Sequence, residues 1–384
     1  MQTKRALATC LLAALILAGC SSKYRLEREE LGHESAWPYY AGQLDGSRST
    51  TGSFNGPLTR AWQHRTNSKP AGPLTIYYDQ LVYPGPRKKI ECFDLASGDY
   101  RGKLKVSGYV NSGLVALDSL GFYALGADRN RVEAVNLLNR KELWRQPVKE
   151  AAAGSILMQN SLIVSSDDGW VIAFDPIDGS TRGRFDTESR CQAPPSAGHG
   201  LIFQPADNDT LYALTPDSGT VRWTSPISGP VVSAATVGEL VIVAGITGTV
   251  EAFRPTTGER VWRATVGGPV WSSPTLADTR VVIGHSGGTV LALDAAHGLV
   301  LWTTVGDEVI TAAPLVVGRY VIAGTMAGTV LVLSLDDGSM LDRTELSGAI
   351  ATSPVSDGRR VIVATERGYI TCFGEPYEQH SSAD

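Results

Sequence analysis

Paired carboxylates are one pattern in this 384-residue chain that could do chemistry. Asp167 with Asp168, and Asp207 with Asp209, place two acids within three residues, and carboxylate oxygens are ligands that calcium prefers. Each pair lies between two apolar segments, where aspartate is a common turn residue. We therefore interpret these side chains as solvated hairpin tips.

The histidines show no spacing typical of a metal site. His285 is expected at the end of a strand and His297 in a turn. The sequence also contains no GxSxG motif and no phosphate-binding loop. It therefore predicts a protein with no catalytic residues and no metal site.

The elements that would position any such residue are repeats. In the stretch from Val250 to Trp262 a short apolar strand runs into a turn with Pro255 and Gly258, and a second strand carries Trp262. The first-strand anchor recurs eight times, every 39 to 42 residues, at Ile90, Val132, Val171, Leu211, Val250, Val290, Val330 and Ile370. Such a period is typical of propellers and solenoids.

The turn glycine and the tryptophan recur with the anchor. The glycine stands at Gly98, Gly179, Gly219, Gly258, Gly298 and Gly338, and Arg140 replaces it in the second copy. The tryptophan position reads Trp62, Gly102, Trp144, Gly183, Trp223, Trp262, Trp302 and Asp342.

The two series are out of phase, because the chain begins with a second-strand element at Trp62 and ends with a first-strand element at Ile370. A solenoid would leave both as exposed edges, whereas a ring pairs them. The sequence thus predicts an all-β, eight-bladed β-propeller of four-stranded antiparallel blades, closed by the N-terminal strand around Trp62. In blade six we expect an inner strand around residues 270–276 and then strands near 280–284, 290–293 and Trp302.

Three cysteines lie within the repeats. Cys92 and Cys372 stand where other copies carry alanine, and Cys191 completes an odd set without CxxC spacing. We expect small buried thiols rather than a disulfide between blades.

The tryptophans at the outer position are expected to pack blade against blade, at Trp62, Trp144, Trp223, Trp262 and Trp302. The motif from Ala252 to Trp262, with Ala292, Asp294, Gly298 and Trp302, resembles the tryptophan-docking repeat of the PQQ-like (quinoprotein-type) β-propellers. The segment from Trp37 to Arg48 is similar to the opening segment of the same family, except at Ala41 and Ser47. The resemblance covers about 330 residues and implies the propeller fold.

The N-terminus has the pattern of a lipoprotein signal. Lys4 and Arg5 precede a short apolar run, and Leu17-Ala18-Gly19-Cys20 resembles a bacterial lipobox, whose cysteine is lipidated. We expect a signal peptide at 1–19, lipidated Cys20 and a tether at 20–36, the propeller at 37–375 and a polar tail at 376–384. Ser21 favours the outer membrane, with the protein facing the periplasm.

The charge balance argues against nucleic acid as a partner. The formal net charge is −5, and loss of Lys4 and Arg5 with the signal peptide makes it −7. A mildly acidic chain is also a poor match for anionic lipid surfaces.

The resemblance offers two functions. Quinoprotein dehydrogenases of this fold are larger, usually use a vicinal cysteine pair and bind PQQ with calcium, and this chain has no Cys-Cys. Lipid-anchored PQQ-like propellers without a cofactor are subunits of the machinery that assembles β-barrel proteins in the outer membrane, and bind its barrel-forming subunit. We expect such a non-enzymatic scaffold, and the alternative is a small PQQ-binding quinoprotein or a periplasmic electron-transfer or ligand-binding propeller.

Two irregularities are candidate contact sites. Trp271 could be a platform for a flat ligand, or could fill the channel, where other copies carry Ala71, Gly113, Ala152, Gln192, Val231, Thr311 and Ala351. A basic cluster, which is either a solvated rim or a contact for an acidic partner, comprises Arg87, Lys88, Lys89, Arg129, Arg131 and Arg367.

Overall fold

The computed structural model describes residues 45–86, 88–126, 129–149 and 151–374. These ranges consist of strands joined by turns and loops. None of them contains a helix that is long and apolar enough to cross a membrane.

The first half of the ring is built from the strands β1 (Ser49–Thr50), β2 (Arg60–Arg65), β3 (Thr75–Tyr77), β4 (Gln80–Gly85), β5 (Lys89–Asp94), β6 (Tyr100–Lys105), β7 (Val115–Leu117), β8 (Leu120–Leu125), β9 (Arg131–Asn136), β10 (Glu142–Pro147), β11 (Ala151–Met158), β12 (Ser161–Ser166), β13 (Trp170–Phe174), β14 (Thr181–Asp186), β15 (Ser196–Gly198), β16 (Leu201–Ala206), β17 (Thr210–Leu214) and β18 (Val221–Pro226). The second half follows as β19 (Thr236–Val237), β20 (Val241–Ala244), β21 (Thr249–Phe253), β22 (Arg260–Thr265), β23 (Thr275–Ala277), β24 (Arg280–His285), β25 (Thr289–Asp294), β26 (Val300–Val305), β27 (Leu315–Val317), β28 (Tyr320–Gly324), β29 (Thr329–Ser334), β30 (Met340–Glu345), β31 (Val355–Ser356), β32 (Val361–Ala364) and β33 (Tyr369–Phe373).

These strands form eight blades. Blades one to seven each take four consecutive strands from β3 to β30, paired in chain order and antiparallel. Blade eight takes β31, β32 and β33, and its outer strand is β2, with Trp62 opposite Cys372 and Arg65 opposite Tyr369. The predicted eight-bladed fold and its closure by the strand around Trp62 are confirmed.

Burial explains why these segments are strands. The second strands, such as β20 and β32, are rich in valine and isoleucine and are buried at every position, because a neighbouring blade covers each face. Outer strands such as β22 and β26 are mostly exposed, and their tryptophan is the fully buried residue. The core therefore lies between blades, as where Val282 of blade six packs with Val321 and Leu333 of blade seven.

The inner strand of blade six differs from the expectation. The strand is Thr275–Ala277, and residues 270–274 are a loop that leads into it. Pro274 has no N–H to donate to a ladder. Val270 instead donates its N–H to the Gly245 carbonyl of blade five, 3.3 Å away.

Antiparallel blades give the ring two faces. The loop face carries the hairpins between second and third strands and the connections between blades. The turn face carries the hairpins between first and second strands and the turns between third and fourth strands. Residues at the two ends of one strand therefore lie on opposite faces.

An N-terminal strap, residues 45–54, crosses the inner strands near the turn face. Within it, β1 runs parallel to β27 on the axial side of blade seven. Strap carbonyls accept N–H groups from blades five, six and seven, and its last amide donates to blade eight, through Val237–Asp45 (2.8 Å), Leu276–Ser47 (2.9 Å), Val316–Arg48 (3.2 Å), Gly318–Thr50 (3.0 Å) and Phe54–Gly358 (3.1 Å). Arg48 is 1% exposed, and its guanidinium donates to the Pro354 carbonyl at 3.1 Å.

Candidate functional site

The repeated tryptophans lie where each blade meets the next. Each indole N–H donates to a backbone carbonyl in the third-to-fourth-strand turn of the following blade, in the pairs Trp62–Leu95, Trp144–Pro176, Trp223–Pro255, Trp262–Ala295 and Trp302–Leu335, at 2.8 to 3.1 Å. Beneath each ring lies the turn glycine, at φ of 71° to 75°. A Cβ atom on that glycine would lie 2.5 to 2.6 Å from the tryptophan, so glycine is required for the close approach as well as for the backbone conformation.

Where the tryptophan is missing, the contact is built differently. Arg140 keeps the turn conformation at φ of 61°, and the repeat places it opposite Gly102, which has no ring to obstruct it. A Cβ atom on Gly183 would lie 2.5 Å from the Asp217 carbonyl oxygen, so backbone meets backbone there. At the seam of the ring, the Asp342 carboxylate accepts the Leu58 N–H at 2.6 Å.

The paired carboxylates are held by local partners. Asp167 forms an ion pair with Arg190 at 2.7 Å, and Asp207 accepts the Gln192 side-chain amide at 2.8 Å. Within the described ranges, no three His, Cys, Asp or Glu side chains are grouped so that they could hold a metal ion.

The two histidines that we singled out have separate surroundings. His285 is 5% exposed and its Nδ1 accepts the Gly287 N–H at 3.0 Å. Burial lowers the pKa of His285, so its ring is neutral at pH 7. His297 lies on an exposed turn beside Asp294, and its hydrogen bond lowers the pKa of the Asp294 carboxyl.

The cysteines of the described part of the chain are buried, and none of them is in a disulfide. Burial raises the pKa of the Cys191 thiol to about 11 and that of the Cys372 thiol to about 12. Because the thiolate is the reactive form, these two groups are unreactive at neutral pH.

Part of the basic cluster is engaged by buried glutamates. Lys89 pairs with Glu91, and Arg131 with Glu133, each at 2.6 Å. Burial alone would raise the pKa of Glu133, but hydrogen bonds from Ser107, from a tyrosine and from Arg131 outweigh it and hold that pKa below its usual range. These glutamates were not predicted from the sequence, although each follows directly after the apolar anchor of its repeat.

The rest of the cluster lies on the loop face. The Lys88 ammonium lies 5.4 Å from the centre of the Tyr109 ring. Arg129 and Arg367 are exposed, and Arg367 donates to a serine hydroxyl at 3.1 Å. Arg87 lies outside the described residues, as does Cys20.

Trp271 lies in the connection between blades five and six, on the loop face, with 47% of its surface exposed. The next connection along the ring holds Val309, whose carbonyl accepts the Met326 N–H at 2.8 Å, and both of these residues are exposed. The structure thus places Trp271 at the surface, in a part of the loop face that carries other apolar side chains.

Comparisons with known proteins agree with this architecture. A family model described as "Outer membrane protein assembly factor BamB" matches residues 167–243 and 209–376. The outer membrane protein assembly factor BamB of Bordetella pertussis (strain Tohama I) is 23% identical over 168 residues, which are 44% of this chain and 34% of that protein. The matched part therefore spans about a third of the relative's length.

Solved structures share the ring at low identity. BamB from Moraxella catarrhalis has a TM-score of 0.72 and 16% identity, covering 83% of this chain and 100% of that one. A europium-containing methanol dehydrogenase has a TM-score of 0.74 and 12% identity, covering 90% and 99%. The computationally designed Ika8 protein has a TM-score of 0.69 and 17% identity, covering 81% and 98%.

At such identities the solved structures establish the fold alone, and they include a methanol dehydrogenase as well as BamB and a designed protein. The family model establishes the family as well, because its two matches together run from blade three to the end of blade eight and cover more than half of the chain. The chain therefore belongs to the PQQ-like propeller family described as outer membrane protein assembly factor BamB.

Proposed function

We propose that this protein is a non-enzymatic, lipid-anchored scaffold that faces the periplasm and binds protein partners in the assembly of β-barrel outer-membrane proteins. The observation that carries the proposal is the family match over blades three to eight. The lipobox-like segment before Cys20 supports the location. Both named BamB relatives are similar to this chain, one by sequence and the other by fold.

The side chains support a binding role over a catalytic one. The carboxylates and histidines considered above form local contacts, and the pKa values of Cys191 and Cys372 are shifted away from reactivity. The ring instead presents a rigid surface, because every blade boundary is packed and most are joined by tryptophan hydrogen bonds. A rigid surface favours recognition, since little order has to be created on binding.

For the contact with an acidic partner we propose a basic rim made of Lys88, Arg129 and Arg367. The three lie on the loop faces of blades one, two and eight, which are neighbours in the closed ring. The two arginines are exposed, so their charges are available to a partner. Rim charges of this kind mainly change the association rate and its dependence on salt.

Affinity capture tests both parts of this proposal. The tagged protein is purified from detergent-solubilised envelopes and its partners are identified by mass spectrometry, and we expect the barrel-forming subunit of the assembly machinery. The variant Arg367→Glu should reduce the captured partner at least threefold at low salt. Arg359→Glu is the matched control, because Arg359 is exposed on the turn face of blade eight, opposite Arg367.

Two outcomes would contradict the proposal. Capture without any assembly subunit would refute the role, and equal losses for the rim and control variants would refute the rim. The rival function is tested on the same preparation, by adding PQQ and calcium. We expect no quinone absorbance on the purified protein and no rise in melting temperature, and either signal would favour a quinoprotein.

A further inference from the structure

An apolar cavity of about 370 Å³ opens between blades five and six on the turn face. Its apolar lining comes from Leu240, Ile242, Val261, Leu276, Ala295 and Ala296. Val261 is among the exposed large apolar residues, and Leu240 and Leu276 are only partly buried. The cavity is more than twice the roughly 150 Å³ that accommodates benzene in an engineered protein core, so it has room for aromatic side chains.

One small residue on the cavity wall adds to the cavity's volume. Ala295 follows Asp294 in the turn, and its carbonyl accepts the Trp262 indole N–H at 2.9 Å. The same turn position in the other copies carries larger side chains, at Leu95, Leu137, Pro176, Pro216, Pro255 and Leu335. Because Ala295 is smaller than these side chains, apolar surface between blades five and six stays uncovered and can bind another apolar group.

The described chain begins directly beside this cavity. The Asp45 carbonyl accepts the Val237 N–H at 2.8 Å, and Leu240, on the cavity wall, lies three residues after Val237. Two residues along the strap, the Ser47 carbonyl accepts the N–H of Leu276, also on the wall. The strap therefore fixes the point from which the preceding residues must depart.

The residues before Asp45 have the chemistry to fill it. The sequence Trp37-Pro38-Tyr39-Tyr40-Ala41-Gly42-Gln43-Leu44 contains no charge and three aromatic rings, whereas residues 23–30 are mostly charged. Eight residues can reach about 28 Å when extended, so every one of these rings can reach the cavity. Glu239 and Asp278 line the cavity, and their carboxylates could accept a hydrogen bond from the N–H group of a buried tryptophan or the O–H group of a buried tyrosine.

We propose that the cavity between blades five and six is the docking site for the chain's own aromatic segment, Trp37–Tyr40. The docked segment extends the strap by one further contact and covers apolar surface that the ring itself leaves open. It also fixes where the N-terminal tether leaves the ring, namely on the turn face at blades five and six. The inference is independent of the partner and of the function proposed above.

Cross-linking tests the docking on the mature chain from Ser21. Ala41→Cys, beside the aromatic segment, is paired either with Ala296→Cys in the cavity or with Thr256→Cys at the same turn position of blade five, as matched control. The native cysteines of the ring are buried and should not compete. After mild oxidation, we expect at least tenfold more intramolecular disulfide with the Ala296→Cys partner.

Two further variants test the cause of the cross-link. Ala295→Leu restores the side chain that three other copies carry, and Trp37→Ala removes the largest proposed guest without touching the ring. Each should reduce the Ala41–Ala296 linkage severalfold. Equal linkage at both partner sites, linkage at neither site, linkage between two chains, or no effect of Ala295→Leu and Trp37→Ala would overturn the proposal.

Discussion

One residue in each third-to-fourth-strand turn decides how closely two blades approach. In five copies this residue is a glycine that lies directly under a tryptophan of the preceding blade. A Cβ atom added to the glycine would lie 2.5 to 2.6 Å from the nearest atom of the tryptophan ring. Arg140 shows that the backbone conformation alone does not demand glycine, since it adopts φ of 61° in the same turn. The tryptophan is what excludes a side chain.

This distinction predicts opposite results at equivalent positions. Gly298→Ala should lower the unfolding free energy by about 2 to 4 kcal/mol. The new methyl group would clash with the Trp262 ring, and alanine is disfavoured in the left-handed conformation that this position adopts. Arg140→Gly should lie between no change and a gain of about 1 kcal/mol, because relief of strain is offset by unfolded-state entropy. Urea denaturation measures both.

A loss of more than about 1 kcal/mol for Arg140→Gly would identify Arg140 as a contact residue that contributes more than its turn conformation costs. A neutral Gly298→Ala would show that the tryptophan can shift. The close approach of Gly298 to the Trp262 ring argues against the second result.

Residue-scale prediction succeeded where the repeat constrained the position. Glycine, tryptophan and Arg140 could be placed because eight copies define what each position does. The buried Glu91 and Glu133 could not, because the sequence does not show that Lys89 and Arg131 of the basic cluster pair with them. A sequence pattern shows which charges are near in the chain, but not which of them are buried together.

At the scale of elements, the ring depends on two N-terminal pieces of different kinds. The outer strand β2 completes blade eight through pairing with β33 and through the docked Trp62. The strap joins the inner strands of blades five to eight, with mostly backbone hydrogen bonds. One closes the ring and the other braces its interior.

Truncations should separate these contributions. We expect chains that begin at Trp37, Asn55 and Thr66 to become progressively less stable, because the second lacks the strap and the third also lacks β2. Loss of β2 should cost at least about 4 kcal/mol, since it removes a docked tryptophan and a complete ladder. It also exposes the edge of β33, so that light scattering should reveal aggregation.

The strap-free chain that begins at Asn55 serves as the control for β2. If the chains that begin at Asn55 and Thr66 denatured at the same urea concentration, β2 would not close the ring. If the chains that begin at Trp37 and Asn55 denatured at the same urea concentration, the strap would not contribute to the free energy of unfolding.

The repeat predicted β2 but gave no sign of the strap. β2 carries the same tryptophan as its counterparts, so its place followed from the count. The strap binds through backbone groups, which every sequence possesses, and its strand is only two residues long. The inner strand of blade six was also predicted too early in the chain, because residues 270–274, which include Pro274, form a loop before it.

At the scale of the whole molecule, the question is what would hold a mildly acidic ring at the membrane proposed for it. The net charge is only mildly negative, and Cys20 lies outside the described residues. The proposal therefore assigns retention to the lipid, since several acyl chains anchor a protein far more firmly than one.

Cys20→Ala should abolish acylation and release the protein from membranes. Cys10→Ala is the matched control, because it changes the other cysteine of the N-terminal segment and should leave the protein membrane-bound. Fractionation after a high-salt wash, followed by immunoblotting, measures the result. Retention of the Cys20→Ala variant in the outer-membrane fraction would show that another feature anchors the protein.

The contacts of the strap and of β2 with blade eight also constrain the order of folding. Arg48 finds its carbonyl partner 306 residues later, and Gln63 meets Thr371 after 308 residues. Closing so long a loop adds little to the equilibrium cost, because that cost grows only logarithmically with length, but it slows folding. Arg48 and Gln63 therefore cannot make these contacts until blade eight has been synthesised. A chain that stops before blade eight leaves β2 without its partner strand β33. The ring can therefore close only after blade eight has been synthesised, which makes an intact blade eight a precondition for a stable ring.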